Sequence, residues 1–177
     1  MKKSVLTFGL ISGAVSAALM LLTLPFIDQI GFEHGEVLGY TAIVASFLPV
    51  FFGIRSYREH VGGGSLTFGR GFVVGILITL ISSACYVATW ELIYFKLAPG
   101  FADKWTAYAM EHAKASGASA QELEATAKQM QSLRHLLDNP LTNAAMTFLE
   151  PFPIGLVVTA ISAAVLRRKP TAVAAGR

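Results

Sequence analysis

Two carboxylates that interrupt apolar stretches, Glu91 and Glu150, are the residues of this sequence best suited to chemistry. A carboxylate in a membrane-spanning helix costs about 2.5–3.5 kcal/mol at the bilayer centre on insertion scales, so it usually faces a bundle interior or water. Tyr86 and Trp90 lie within two helical turns of Glu91. The prolines that follow Glu150 donate no backbone hydrogen bond and loosen the start of its helix. Together these residues indicate a small polar cavity whose carboxylate pair binds a proton or a cation.

A structural interpretation fits the same two acids. Glu91 lies near the end of its apolar stretch and Glu150 near the start of the next, so both are expected at shallow depth on the same side. There they could accept hydrogen bonds from helix ends, or pair with Lys96 or Arg134. The sequence leaves both interpretations open.

The sequence carries no motif for another kind of chemistry. It has no His-Glu-x-x-His and no pair of aspartates within an apolar stretch. His135 and Asp138 are spaced to share a metal ion, but two ligands do not complete a site. The triple glycine at 62–64 lacks the Gly-Lys-Ser/Thr that a phosphate loop requires. We therefore predict a protein that is not an enzyme and holds no metal or cofactor.

The elements that carry the two acids are four long apolar stretches. They cover residues 4–26, 37–54, 71–95 and 144–166. Each has about 18 residues or more, enough to cross a hydrocarbon layer of about 30 Å. The chain is 54% hydrophobic and only 14% charged, whereas a soluble domain is about a quarter charged. These features predict an all-α integral membrane protein with four transmembrane helices in an antiparallel bundle.

The first stretch also resembles a secretory signal, because Lys2 and Lys3 precede it and small residues lie within it. The apolar core of a signal spans about 7–15 residues, whereas this stretch continues to Phe26. We expect an uncleaved signal anchor.

Basic residues flank the stretches on one side, which sets orientation because Lys and Arg resist translocation. They are Lys2, Lys3, Arg55, Arg58, Arg70, Arg167, Arg168 and Lys169. This pattern predicts an inner-membrane protein with both termini in the cytoplasm. The cytoplasmic basic loop with Arg55, Arg58 and Arg70 is expected to bind lipid headgroups or simply to enforce topology. The basic residues beside the membrane account for the net charge of +3. We therefore expect no nucleic-acid partner.

Residues 98–143 are predicted to form an extracytoplasmic helical hairpin between the third and fourth spans. An aromatic stripe at helical spacing marks its first helix: Phe101, Trp105, Tyr108 and His112. Gly117 breaks that helix, and Ser119 with Glu122 forms a capping box for the next. We expect residues 1–170 to form one membrane domain that includes this hairpin, with residues 171–177 as a flexible tail.

Small residues repeat at three- and four-residue spacing in several stretches, a pattern that lets membrane helices approach closely. Examples are Gly9, Ser12, Gly13, Gly71, Gly75, Gly155 and Thr159. Glycine is also simply common in membrane helices. The leading hypothesis is a bundle that binds membrane lipid, partner helices or a second copy. The alternative is a small transporter or channel subunit that uses the carboxylate pair and requires oligomerisation.

Several motifs resemble those of an uncharacterised bacterial membrane family, domain of unknown function 4199. The matching segments are residues 53–59 with the triple glycine, Phe68-Gly69-Arg70, residues 86–91, Asn139-Pro140-Leu141 and residues 148–155. The resemblance extends from the first stretch to Arg168. It implies a four-helix integral membrane protein of the bacterial cell envelope, and it supplies no activity and no catalytic residue.

Overall fold

The computed structural model describes residues 1–168, and their named elements are all helical. The α-helices are α1 (Lys2–Thr23), α2 (Ile27–Ser46), α3 (Leu48–His60), α4 (Phe68–Leu92), α5 (Phe101–Ala115), α6 (Ala120–Leu137), α7 (Pro140–Phe148) and α8 (Pro151–Leu166). A short 3₁₀ turn, Leu24–Phe26, follows α1, and a π-turn, Ile93–Leu97, follows α4. Lys169 and the predicted tail lie outside the described residues.

Four helical segments are long and apolar enough to cross a membrane: Lys2–Phe26, Gln29–His60, Phe68–Leu97 and Pro140–Leu166. The prediction of four helices long and apolar enough to cross a membrane is therefore confirmed, although both predicted bounds of the second segment and the predicted start of the fourth are wrong. The second segment begins before residue 37, so Glu33 and Glu36 are helical rather than part of a loop. The fourth begins at Pro140 because the Asn139 side chain accepts hydrogen bonds from the first free backbone amides of α7.

Two of the four segments are interrupted within the span. The second is divided into α2 and α3 at Phe47, shortly before Pro49, which has no backbone N–H to donate to the preceding turn. The fourth is divided into α7 and α8 at Leu149 and Glu150, directly before Pro151. At both breaks the backbone N–H groups bond to carbonyls three residues back, as from Val50 to Phe47 and from Glu150 to Thr147.

Helix α4 forms the centre of the bundle, with contacts to α1, α3, α7 and α8. Its inward side chains join those of α3 in a core whose members include Phe47, Val50, Ile54, Val74 and Ile78, all at most 1% exposed. Large apolar side chains on the outside of the segments, such as Leu22 and Val165, are more than 60% exposed. Such a surface suits hydrocarbon as the surrounding solvent.

Glycines lie where α4 meets its neighbours. A Cβ added at Gly13 would lie 2.6 Å from Cys85 Cβ, and one added at Gly9 would lie 2.9 Å from Ile81 Cβ. On the other side of α4, a Cβ added at Gly71 would lie 3.3 Å from Ala163 Cβ. The prediction that small residues serve helix packing is confirmed at these positions, because a larger side chain would force the helices apart.

Serine and threonine hydroxyls join the helices inside the core. Ser12 Oγ lies 2.5 Å from the Ser46 carbonyl oxygen and 2.8 Å from Ser82 Oγ. Thr79 Oγ1 lies 3.0 Å from Thr159 Oγ1. These hydroxyls find partners on other helices, the role that serine and threonine commonly have in membrane bundles.

Helices α5 and α6 occupy most of residues 98–143 and pack on each other. Gly117 adopts φ +79° between them, and Arg134 of α6 forms a close ion pair with Asp103 of α5. The predicted capping box is present, since Ser119 N–H donates to Glu122 Oε2 at 2.7 Å. That hydrogen bond, followed by the one from the Ser119 hydroxyl, lowers the pKa of the Glu122 carboxyl.

The aromatic stripe of α5 packs against Phe32 at the start of the second span, and its Phe101 ring also lies 5.1 Å from that of Trp90 on α4. The centroid of Phe32 lies 5.8 Å from that of Phe101, 5.2 Å from that of Trp105 and 5.1 Å from that of Tyr108. Gly31, directly before Phe32, has φ +74°, a conformation that favours glycine. The stripe therefore joins α5 to the bundle.

Candidate functional site

The structure brings Tyr86 and Glu150 together. Tyr86 lies on α4, and Glu150 lies at the break that separates α7 from α8. The phenol hydroxyl donates a hydrogen bond to Glu150 Oε2 at 2.9 Å. The Tyr86 side chain is half-buried and Glu150 is exposed. This pair is the part of the predicted polar site that the fold assembles.

Trp90, one turn further along α4, bonds to a residue that the sequence patterns did not single out. Its indole Nε1 donates to Asn143 Oδ1 at 3.0 Å, and Thr147 Oγ1 donates to the same oxygen at 3.1 Å. Asn143 Nδ2 donates to the Leu137 carbonyl oxygen at 2.9 Å. Asn143 is 0% exposed. Its hydrogen bonds connect α4, α6 and α7. No sequence pattern signals this role, because the apolar pattern places Asn143 in the outer segment 98–143, whereas the fourth span begins at Pro140.

Glu91 lies on a different side of α4. Five residues of helix, at about 100° per residue, turn Glu91 roughly 140° away from Tyr86. Its Oε1 atom is buried and has no hydrogen-bond partner among the described residues. The structure therefore does not join Glu91 to the Tyr86–Glu150 pair.

Arg134, one of the two predicted cationic partners of these acids, pairs with other carboxylates. Arg134 forms ion pairs with Asp103 and, at 3.9 Å, with Asp138. Within residues 1–168 neither Lys96 nor Arg134 forms an ion pair with Glu91 or Glu150. Asp138 also accepts a hydrogen bond at 3.4 Å from Tyr94 of the π-turn.

The opposite end of the bundle, which we call the basic end, carries the cations of the sequence pattern. Within the described residues these are Lys2, Lys3, Arg55, Arg58, Arg70, Arg167 and Arg168. The predicted basic loop is shorter than expected, because Arg55 and Arg58 lie on α3 and Arg70 in the first turn of α4. Backbone hydrogen bonds of 2.9 and 2.8 Å join Leu66 of the remaining loop to Arg168.

Arg55 and Arg58 are held by other groups of the protein. Arg55 Nε lies 2.9 Å from Glu59 Oε1, and Arg58 Nη2 lies 3.3 Å from the same atom. Arg58 Nη1 donates to the Leu166 carbonyl oxygen at 3.4 Å, at the last turn of α8. A cation at this position offsets the negative end of the helix dipole.

Comparison with family models gives a match to "Protein of unknown function (DUF4199)" over residues 7–168. The chain belongs to this family. No curated protein and no solved structure matches it. Membership in the DUF4199 family assigns no activity, so a function has to be inferred from the contacts within the chain.

Several of the DUF4199-like motifs coincide with contacts between distant parts of this chain. Arg58 of the first motif bonds to the end of α8, and Trp90 of the second bonds to Asn143. Asn139 caps α7, and Glu150 accepts from Tyr86. The motifs thus lie where helices are fixed to one another.

Within residues 1–168, no group of three or more His, Cys, Asp or Glu is placed to hold a metal ion.

Proposed function

We propose that this DUF4199 member is a bacterial inner-membrane protein whose four spans form an antiparallel bundle. Contact positions on α4 rise as those on α8 fall: Gly71 faces Ala163, Gly75 faces Thr159 and Thr79 faces Gly155. On α1 and α4 both numbers rise together, from Gly9–Ile81 to Gly13–Cys85. This register supports alternating directions for successive spans.

The orientation that we propose places the basic end and both ends of the chain in the cytoplasm. The α5–α6 hairpin then lies outside. The support is the clustering of Lys and Arg at one end of the bundle, where the carboxylate of Glu59 lies among them. Cations close to a span resist translocation far more than acids do.

As its function, we propose that the protein acts by binding membrane lipid, partner helices or a second copy, and not as an enzyme. The observation that carries this proposal is the filled interior of the bundle. Glycine contacts bring the backbones together at Gly75 and Gly155, and the hydroxyls of Ser12 and Thr79 are used in bonds between helices. A single bundle of this kind leaves its outward faces as the surfaces available for recognition.

The test is purification of the full chain from its native membrane in a mild detergent, followed by native mass spectrometry. We expect a mass above that of the bare chain, made up of retained lipid, a partner membrane protein or a second copy. A bare monomer from every mild detergent would contradict the proposal. Protein recovered from the soluble fraction without detergent would contradict the membrane assignment itself.

The Tyr86–Glu150 hydrogen bond favours one alternative, a small transporter or channel subunit. A carboxylate at a helix break next to a phenol can exchange a proton or bind a cation. Proteoliposomes that contain the full chain test this alternative, which predicts pH-dependent flux that Glu150→Gln abolishes. Glu124→Gln, a change on the exposed surface of α6, is the matched control. Absence of flux above that of empty liposomes would exclude the alternative.

A further inference from the structure

The basic end holds more cations than the Glu59 carboxylate can neutralise. Glu59 is shared by Arg55 and Arg58, and Arg58 is also bonded to the end of α8. Five further cations form no ion pair within residues 1–168: Lys2, Lys3, Arg70, Arg167 and Arg168. A surplus of positive charge at a membrane surface attracts anionic lipid.

Arg70 stands at the rim of a cleft that could receive such a lipid. The cleft has a volume of about 170 Å³, and Met1, Tyr57, Gly69 and Val73 line it together with Arg70. Tyr57 is only 9% exposed, and its hydroxyl makes no hydrogen bond to the described residues. The surface of the cleft is almost entirely apolar, and the Arg70 guanidinium and the Tyr57 hydroxyl beside it have no hydrogen-bond or ion-pair partner in residues 1–168.

An apolar stripe leads from this cleft into the span. Val73 and Leu80 lie two turns apart on one face of α4 and are 48% and 40% exposed. Arg70 lies on the same side of the helix, one turn before Val73. A ligand at Arg70 thus meets polar donors at one end and hydrocarbon-like side chains along the helix below.

We propose that an anionic phospholipid from the leaflet at the basic end binds at this cleft, with its headgroup at Arg70 and the start of an acyl chain against the apolar cleft wall. The inference rests on the proposed function, which leaves the ligand open, and it names that ligand. The Arg70 guanidinium pairs with the phosphate, because its planar donors match phosphate oxygens. Tyr57 donates a second hydrogen bond, and an acyl chain lies along Val73 and Leu80. A free phosphate ion would use the donors alone, whereas a lipid also covers the apolar stripe.

The experiment measures lipid binding to the full chain in a nonionic detergent by native mass spectrometry. The probes are phosphatidylglycerol, phosphatidylcholine and inorganic phosphate, each titrated separately. We expect phosphatidylglycerol to bind more tightly than phosphatidylcholine, and Arg70→Gln to weaken phosphatidylglycerol binding about fivefold, since one cation near an anionic surface contributes about 1 kcal/mol. Arg70→Lys keeps the charge but not the planar donors, so it should bind phosphatidylglycerol more weakly than the native chain and more tightly than Arg70→Gln. Tyr57→Phe should weaken binding about twofold or more.

Arg55→Gln is the matched control, because Arg55 is also exposed at the basic end but already pairs with Glu59. We expect it to change phosphatidylglycerol binding less than twofold. Equal losses in the two Gln variants would overturn the cleft as a site, as would unchanged binding in Arg70→Gln. Equal affinity for the two lipids would overturn the preference for anionic headgroups. Lipid that still binds to the chain in that case would leave the proposed function standing. Inorganic phosphate that binds as strongly as phosphatidylglycerol would show a free-anion site and overturn the lipid as the ligand.

Discussion

Gly75 and Thr159 pack so closely that a Cβ added at Gly75 would lie 2.6 Å from Thr159 Cγ2. The same Cβ would lie 2.8 Å from Ile54 Cδ1, so α3, α4 and α8 meet at this glycine. Because the neighbours of Gly75 come from two other helices, a larger side chain at this position would displace both of them. The contact fixes how near the second, third and fourth spans approach one another.

We therefore expect Gly75→Ala to lower the free energy of unfolding by about 1–3 kcal/mol through overpacking. Unfolding in mixed micelles, followed by circular dichroism, measures the change. Gly69→Ala is the control on the same helix, because a Cβ at Gly69 meets nothing within 4 Å. It should leave stability unchanged or raise it slightly. Equal effects of the two substitutions would contradict the close contact at Gly75.

Removing the Asn143 side chain should destabilise the bundle at the end opposite the basic end. Asn143→Ala leaves the Trp90 indole N–H and the Leu137 carbonyl without their partners. We expect a loss of about 1–3 kcal/mol in the free energy of unfolding, because these groups are left unsatisfied. Gln129→Ala, on the exposed surface of α6, should change it by less than about 0.5 kcal/mol. The outcome that rejects the role of Asn143 is a loss no larger than that of the control.

The capping box predicts how the start of α6 responds to pH. The pKa of Glu122 is lowered in the folded chain, chiefly by the backbone N–H of Ser119. The charged Glu122 carboxylate therefore stabilises the start of α6 fully above the ordinary carboxyl pKa of about 4.3. This stabilisation is lost as the pH falls through the lower pKa that Glu122 has in the folded chain. Backbone chemical shifts at the start of α6 should follow this titration.

Two variants separate the capping effect from a general acid effect. Glu122→Gln keeps a residue that suits the box but removes the charge, so the pH dependence at the start of α6 should disappear. Glu124→Gln removes a neighbouring carboxylate that pairs with Lys128 at 2.7 Å, and it should leave that dependence in place. An unchanged titration in Glu122→Gln would refute the assignment.

The orientation can be checked with single cysteines in a Cys85→Ser background. Ser132→Cys on α6 should react with a membrane-impermeant maleimide in intact cells. Val61→Cys, just after α3, should react only once the membrane is opened. Both positions are exposed in the structure, so burial does not account for a difference. Labelling in the reverse order would reverse the proposed topology.

The sequence was sufficient to predict the elements whose signals are local. Apolar length identified the four spans, and the Ser119–Glu122 spacing identified the start of α6. The span boundaries were less accurate, because the helices extend beyond the purely apolar residues. Glu33, for example, is helical although it is charged.

The candidate site depended on relationships that sequence spacing does not contain. Tyr86 meets Glu150 because α4 packs against the break in the fourth span, and Glu91 lies elsewhere because of its angle on the helix. Asn143 was overlooked because it falls in the predicted outer segment and its partners lie on three separate elements. A polar residue in a span signals that partners exist, but the packing of the helices decides which ones.

The backbone pairing of Leu66 with Arg168 has a consequence for biogenesis. Leu66 leaves the ribosome long before Arg168. The backbone amide and carbonyl of Leu66 therefore lack their hydrogen-bond partners until the last span has been inserted. Early in synthesis, the groove of α4 around Gly71 and Gly75 also stays open to lipid. Ribosome-bound chains arrested before α8 should therefore be cleaved by protease near Leu66, and full-length chains should resist.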